Sequence, residues 1–155
     1  MGRASGITAT ADADVRSAGI GDADDVARLL TELGYPCDSD DAAERIAATL
    51  DDARQVLLLA RCEDRACGLM ALDFMYYLPL AAITCRITAL VIAPEAQRRG
   101  LGRQLLREAE RRARVACAAR LELASAAHRK DAHAFYRACG YGEGAVRFVK
   151  LLGDA

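Results

Sequence analysis

The stretch RITALVIAPEAQRRGLGRQLLREAERRARVA, Arg86 to Ala116, decides how this chain folds. Extended back to Ile83, its first part is rich in β-branched residues. Ile83, Cys85, Ile87, Ala89 and Val91 alternate with Thr84, Arg86, Thr88, Leu90 and Ile92. Period-two alternation predicts a strand, with the first set on one face. From Leu105 onward Ala109, Ala113 and Cys117 recur every fourth residue with Leu106 beside them, while Arg103, Arg107, Glu110, Arg111 and Arg114 fill the remainder. That spacing predicts an amphipathic helix. Glu108 with Arg112 and Glu110 with Arg114 are Glu-before-Arg pairs at i,i+4, each worth about 0.2–0.5 kcal/mol.

Between strand and helix stands the loop Gln97-Arg98-Arg99-Gly100-Leu101-Gly102. The first amides of a helix have no intrahelical acceptor, and the helix dipole adds about half a positive charge at that end. A loop of arginines and glycines at such a junction reads as an anion site.

Working outward, 155 residues suit one domain, with 53% hydrophobic and 28% charged residues. A net charge of −1 gives no reason to expect nucleic acid or a membrane surface as partner. No apolar run approaches the roughly 20 residues of a membrane-spanning helix. Residues 1–14 read as a flexible leader without the apolar core of a signal peptide, and 15–155 as a single domain. Six cysteines and two histidines are scattered with no CxxC pair, so reduced thiols in a cytoplasm are expected rather than a zinc site or disulfides, and no metal is expected.

The other elements follow from the same patterns. Val15 to Ala18 reads as a short strand. Asp22 is placed to cap a helix carrying Val26, Leu29, Leu30 and Leu33, closed by Gly34 and Pro36. A second helix begins near Ser39 or Asp40, carries Ala43, Ile46, Ala47 and Leu50, and stops before Asp51 and Asp52. Gln55–Arg61 and Ala66–Tyr77 form an antiparallel hairpin turning at Glu63 and Asp64, and Pro79 marks the connection to the next strand. Beyond the long helix come a strand over Arg120–Ser125, a helix from Lys130 to Cys139 stopped by Gly140, and a last strand over Val146–Leu151. The expected class is α/β with a mixed sheet, in which the long helix is a right-handed crossover joining two parallel strands.

The central loop fails as a nucleoside triphosphate P-loop, since no Lys-Ser or Lys-Thr follows a glycine. A dinucleotide fingerprint would use Gly100 and Gly102 with Glu122 as the ribose acid, but Leu105 replaces the third glycine and Ala93 to Arg99 lengthen the turn. A merely solvated helix start is the plain alternative. The loop Gln97 to Gly102 resembles the pyrophosphate loop of the GNAT superfamily of N-acetyltransferases. Leu90-Val91-Ile92-Ala93-Pro94-Glu95 and Ala132-His133-Ala134-Phe135-Tyr136-Arg137-Ala138-Cys139-Gly140-Tyr141 resemble that family too, in the same order.

The resemblance implies a GNAT-like fold, a mostly antiparallel mixed sheet with two splayed parallel strands flanked by helices, over about Val15 to Leu151. It also implies acetyl-coenzyme A as cosubstrate, with its pyrophosphate held by Gln97, Arg98, Arg99, Gly100, Leu101, Gly102 and Arg103, where Gly100 and Gly102 permit positive φ. Leu90, Val91 and Ile92 would form one wall of the pantetheine cleft and Leu123 to Ser125 the other, with an amide near Val91 on the thioester oxygen.

Tyr136 matches the family tyrosine that protonates the leaving thiolate. The carboxylate that many members carry on the fourth strand is missing, since no Asp or Glu lies between Asp73 and Glu95. Asp73 is the leading substitute base, with water relays, Glu122, His128 and His133 behind it. An exposed strand residue is the plain alternative for Asp73, packing for Tyr136, Tyr76 and Tyr77, and surface or capping positions for the histidines. Arg129 stands where the family often has Asn. Asp38, Asp40, Asp41, Asp51 and Asp52 bracket the second helix and would attract a cationic amine, or are simply solvated.

The expected activity is transfer of an acetyl group to an amine of a small molecule or peptide in a ternary complex, by a cytoplasmic protein with a possible homodimer edge at Val146–Leu151. A coenzyme A-binding sensor that has lost transfer and a dinucleotide-dependent oxidoreductase are the alternatives.

Overall fold

The computed structural model of the chain describes residues 13–124 and 130–153. One compact unit runs through Leu123 and a second begins at Ala124. The first holds β1 (Asp14–Ser17), α1 (Ala23–Leu33), α2 (Ser39–Leu50), β2 (Gln55–Cys62), β3 (Arg65–Tyr77), β4 (Ala82–Ile92), α3 (Leu101–Val115) and β5 (Arg120–Leu123). These strands form one sheet in chain order, antiparallel from β1 to β4, with β5 parallel to β4. The mixed sheet flanked by helices is the architecture expected, including the parallel pair that α3 joins.

Local chemistry sets the element ends. The Asp38 carboxylate accepts from the Asp41 amide at 2.8 Å, and the Asp41 carboxylate accepts from the Asp38 amide at 3.3 Å, closing both ends of a capping box on α2. Gly34 ends α1 in the left-handed conformation, φ 112°, and its amide reaches the carbonyls of Leu30 and Thr31. Asp22 precedes α1 as expected, but its carboxylate does not cap the helix. It accepts from the Gly19 amide at 2.8 Å and from both terminal nitrogens of Arg16, at 2.8 and 3.0 Å, because a guanidinium on β1 outcompetes a lone amide.

Large apolar side chains from both helical layers and the sheet fill the core: Leu29 of α1, Ile46 of α2, Leu58, Leu59, Leu69, Met70 and Leu72 of the hairpin, and Leu105 and Leu106 of α3 are all buried. Each contributes about 1.5–3 kcal/mol. Gly68 lets α3 lie close to the sheet. A Cβ there would stand 3.0 Å from Ile92 Cδ1 and 3.2 Å from Leu105 Cδ1, both tighter than ordinary packing.

β4 departs from the simple alternation. Its pairing with β3 shifts register between Ala71 and Leu72, whose partners are Ala89 and Ile87, so Thr88 is an extra residue on β4. Such a bulge reverses which face each later residue meets. Ile87 lies opposite Leu72 and Ala89 opposite Ala71, so the set from Ile83 to Val91 is split between the two faces rather than sharing one.

The second unit contains α4 (Lys130–Ala138), closed by Gly140 at φ 95°. The expected last strand is not formed. Val146, Phe148, Val149 and Leu151 are 78%, 92%, 69% and 85% exposed and make no ladder among the described residues. β-Branched composition alone does not hold a strand, because the stabilising hydrogen bonds belong to the pairing.

Candidate active site

The loop leaving β4 is the candidate anion cradle. After a single 3-10 turn over Pro94–Ala96, Gln97 is extended and its side-chain amide reaches back to the Ile92 carbonyl at 3.3 Å. Arg98 then takes φ 66° and Gly100 φ 81°, two left-handed residues that swing the chain into α3. For Gly100 this conformation is free of a Cβ penalty, whereas for Arg98 it costs about 1 kcal/mol, a local strain typical of ligand-binding loops. Gly102, expected to use positive φ as well, is instead the second residue of α3 with helical backbone.

The first intrahelical bond of α3 runs from the Gln104 amide to the Gly100 carbonyl at 3.0 Å. The amides of Leu101, Gly102 and Arg103 precede it and face outward from the helix end. No side chain caps this end, and its first turn carries no acidic residue. Arg98, Arg99 and Arg103 are exposed and form no ion pair among the described residues. Outward amides, a helix dipole and uncommitted guanidinium groups make a donor set suited to a diphosphate, so the residues present fit the pyrophosphate of a coenzyme.

Leading into the loop is a stretch of β4 with no strand partner on the β5 side among the described residues. Among the described residues β5 pairs with β4 from Thr84–Arg120 to Ile87–Leu123, whereas β4 continues to Ile92. The last described β4–β5 pair thus stands next to the Thr88 bulge. Beyond it the Ala93 amide donates to the Cys67 carbonyl at 2.7 Å, and antiparallel alternation then directs Ala93, Val91 and Ala89 toward β3. Leu90 and Ile92 direct their N–H and C=O groups away from β3. These two, flanking Val91, are the hydrogen-bonding positions a linear amide chain would meet.

Across the lower sheet the register aligns Gln55, Asp73, Arg86 and Glu122 on four neighbouring strands. Residues directly opposite share a face. The row divides in its middle. Asp73 Oδ1 accepts from Gln55 Nε2 at 2.8 Å, while Arg86 turns the other way and donates to Glu122 Oε1 from Nε at 2.8 Å and Nη2 at 2.6 Å. Arg120 adds a second guanidinium, 3.2 Å from Glu122 Oε2 and 4.3 Å above the centre of the Tyr77 ring. Nearby, the Thr84 hydroxyl is buried without a hydrogen-bond partner among the described residues.

Glu122, considered as a ribose acid, is thus committed to two arginines. Its cross-strand partner Arg86 lies six residues before the end of β4, about 20 Å along the strand from the cradle. That separation removes the dinucleotide arrangement. Burial and then the Asp73 charge push the Cys85 thiol up to about 11, and burial with the neighbouring Cys67 raises Cys62. These thiols stay protonated and are poor nucleophiles near neutral pH. No three His, Cys, Asp or Glu side chains gather as a metal site among the described residues.

Tyr136 sits on α4, half-buried, with ring centroids 5.5 Å from Phe135 and 6.3 Å from Tyr141. Ser125, His128 and Arg129 lie outside the described residues. Gln55, Arg86 and Arg120 were not singled out from sequence, because nothing in linear spacing shows which strand residues stand opposite one another.

A family model described as the acetyltransferase (GNAT) family matches residues 23–141. An aminoalkylphosphonate N-acetyltransferase from Salmonella typhimurium is 34% identical over 140 residues, covering 90% of this chain and 91% of that one. Among solved structures, a transcriptional regulator from Bacillus halodurans superposes with a TM-score of 0.82 at 19% identity over 91% of this chain and 99% of that chain. A GNAT family acetyltransferase from Staphylococcus aureus does so with a TM-score of 0.79 at 24% identity, over the same shares. At such identities the superpositions show a shared fold.

Proposed function

Because the chain belongs to the GNAT family and is an N-acetyltransferase with acetyl-coenzyme A as cosubstrate, we propose that it transfers acetyl directly to the primary amine of a small molecule. The uncapped, arginine-flanked start of α3, reached from a β4 end that no described strand pairs on the β5 side, is the observation that carries this reading. Arg98, Arg99, Arg103 and the amides of Leu101 to Arg103 hold the diphosphate, and Leu90 and Ile92 hydrogen-bond the linear arm. Gln97 buttresses the loop on Ile92.

Acetyl-coenzyme A supplies the activated thioester when bound. Asp73 accepts a hydrogen bond from the acceptor ammonium and takes its proton, directly or through water, so that the nitrogen lone pair can bond to the acetyl carbon. Tyr136 gives a proton to the sulfur as the carbon–sulfur bond breaks, and the second proton shed by the new amide nitrogen returns through water to the phenolate. A phenol is a workable proton donor to a thiolate. The raised pKa values of Cys85 and Cys62 support direct transfer over an acyl-cysteine enzyme, and the roles of Asp73 and Tyr136 need no metal.

The acceptor is a small amine, and the relative named for aminoalkylphosphonates puts those compounds first in the panel. The same proposal includes cytoplasmic residence, action away from nucleic acid and membranes, and a homodimer. A net charge of −1 and the exposed apolar run at Val146 to Leu152 support it.

Stabilisation by coenzyme A in a thermal shift, with no effect of NAD, followed by thiol release from acetyl-coenzyme A with an amine, is the expected result. The lack of a carboxylate between Asp73 and Glu95 favours one second reading, a coenzyme A sensor. Stabilisation by coenzyme A with no thiol released by any amine would select it.

A further inference from the structure

The divided charge row on the sheet deepens the reading just given and rests on it. Asp73 and Arg86 are cross-strand partners, the arrangement in which opposite charges normally pair, yet each turns away, Asp73 to Gln55 and Arg86 to Glu122. The result is a carboxylate on one side and two guanidinium groups sharing a single carboxylate on the other. Arg86 and Arg120 side chains remain 44% and 41% exposed, and Arg86 keeps Nη1 uncommitted among the described residues. Arg120 is held in place by the Tyr77 ring beneath it. The basic side therefore carries one surplus positive charge on oriented donors.

We propose that the space between these halves seats a dipolar acceptor, an amine whose short carbon chain also carries a phosphonate or carboxylate. Arg86 and Arg120 take the anion, and Asp73 takes the ammonium. Asp73 on β3 and Arg120 on β5 stand two strand spacings apart, about 10 Å, which gives room for an amine and an acid on a two-carbon linker with a hydrogen bond at each end. The seat also lies beside the last described β4–β5 pair, Ile87 with Leu123, since Arg86 is two residues before the Thr88 bulge. Guanidinium forks suit tetrahedral and planar oxyanions alike, so the acid's identity is left to the assay.

The test compares kcat/KM for 2-aminoethylphosphonate, β-alanine and propylamine, reading thiol release in the full-length enzyme. The wild type should favour an acid-bearing amine over propylamine by tenfold or more, and the phosphonate and carboxylate arms say which acid. Arg86→Gln and Arg120→Gln should each lower that ratio about tenfold, through KM for the acidic amine. Arg86→Lys should restore part of it, and Glu122→Gln, which releases both arginines, should raise it. A wild-type ratio near one, or a ratio that none of the four variants moves, overturns the dipolar seat while leaving acetyl transfer intact. No thiol release with any amine overturns the transfer reading itself.

Discussion

Replacing Glu108 by glutamine should remove a pH-dependent part of the stability of α3, the helix that carries the cradle. Glu108 accepts from Arg111 Nε and Nη2 at 2.9 and 2.6 Å and from Arg112 Nε at 2.8 Å. The Arg111 bonds foremost, with those of Arg112, hold its carboxyl down at about 2 against an ordinary 4.5, although burial opposes them. A lowered folded-state pKa means stability that is present above the unfolded value and lost as pH falls through the folded one. The window therefore runs from about 4.5 down to about 2.

Taken whole, the shift corresponds to roughly 3 kcal/mol at neutral pH. Arg111 is 61% exposed, so solvent screening reduces this to about 1 kcal/mol. In urea titrations at pH 7, Glu108→Gln should be less stable by that amount, with a Tm lower by about 2–4 °C. The gap to wild type should close as pH falls from 4.5 toward 2. A difference that stays constant with pH, or a variant as stable as wild type at pH 7, would refute the assignment.

Gly100→Ala places a Cβ at φ 81°, where nothing crowds it but the backbone is strained, so stability should fall by about 1 kcal/mol and coenzyme A should bind more weakly. Coenzyme A titration and thermal unfolding read the two effects, and Gly100→Asn should be milder. Gly68→Val forces Ile92 and Leu105 apart and should cost about 1–3 kcal/mol, visible as a lowered urea midpoint. Tyr136→Phe should lower kcat with little effect on coenzyme A affinity. Unchanged turnover across pH would exclude the tyrosine as acid.

Much of the fold was legible because it is local. Gly34, Pro36 and Gly140 stop helices by backbone chemistry that no distant residue alters, and the fourfold spacing from Leu105 to Ala113 marks the face of α3 that is buried. Glu108 found Arg112 as spacing required. Where a side chain on another element competes, helix-end reading failed: Asp22 was drawn from its helix by Arg16 of β1. Val146 to Leu151 had strand composition without a ladder.

The sequence by itself determined the strand, loop and helix around Gly100, because the positive φ and the unmet helix amides are properties of a short segment. Only the tertiary structure decided what faces what. The bulge at Thr88 reverses the faces of β4 and turns the backbone groups of Leu90 and Ile92 away from β3, and the register aligns Gln55, Asp73, Arg86 and Glu122 from four strands. A register depends on one chain segment meeting another, and one extra residue changes it for every residue that follows.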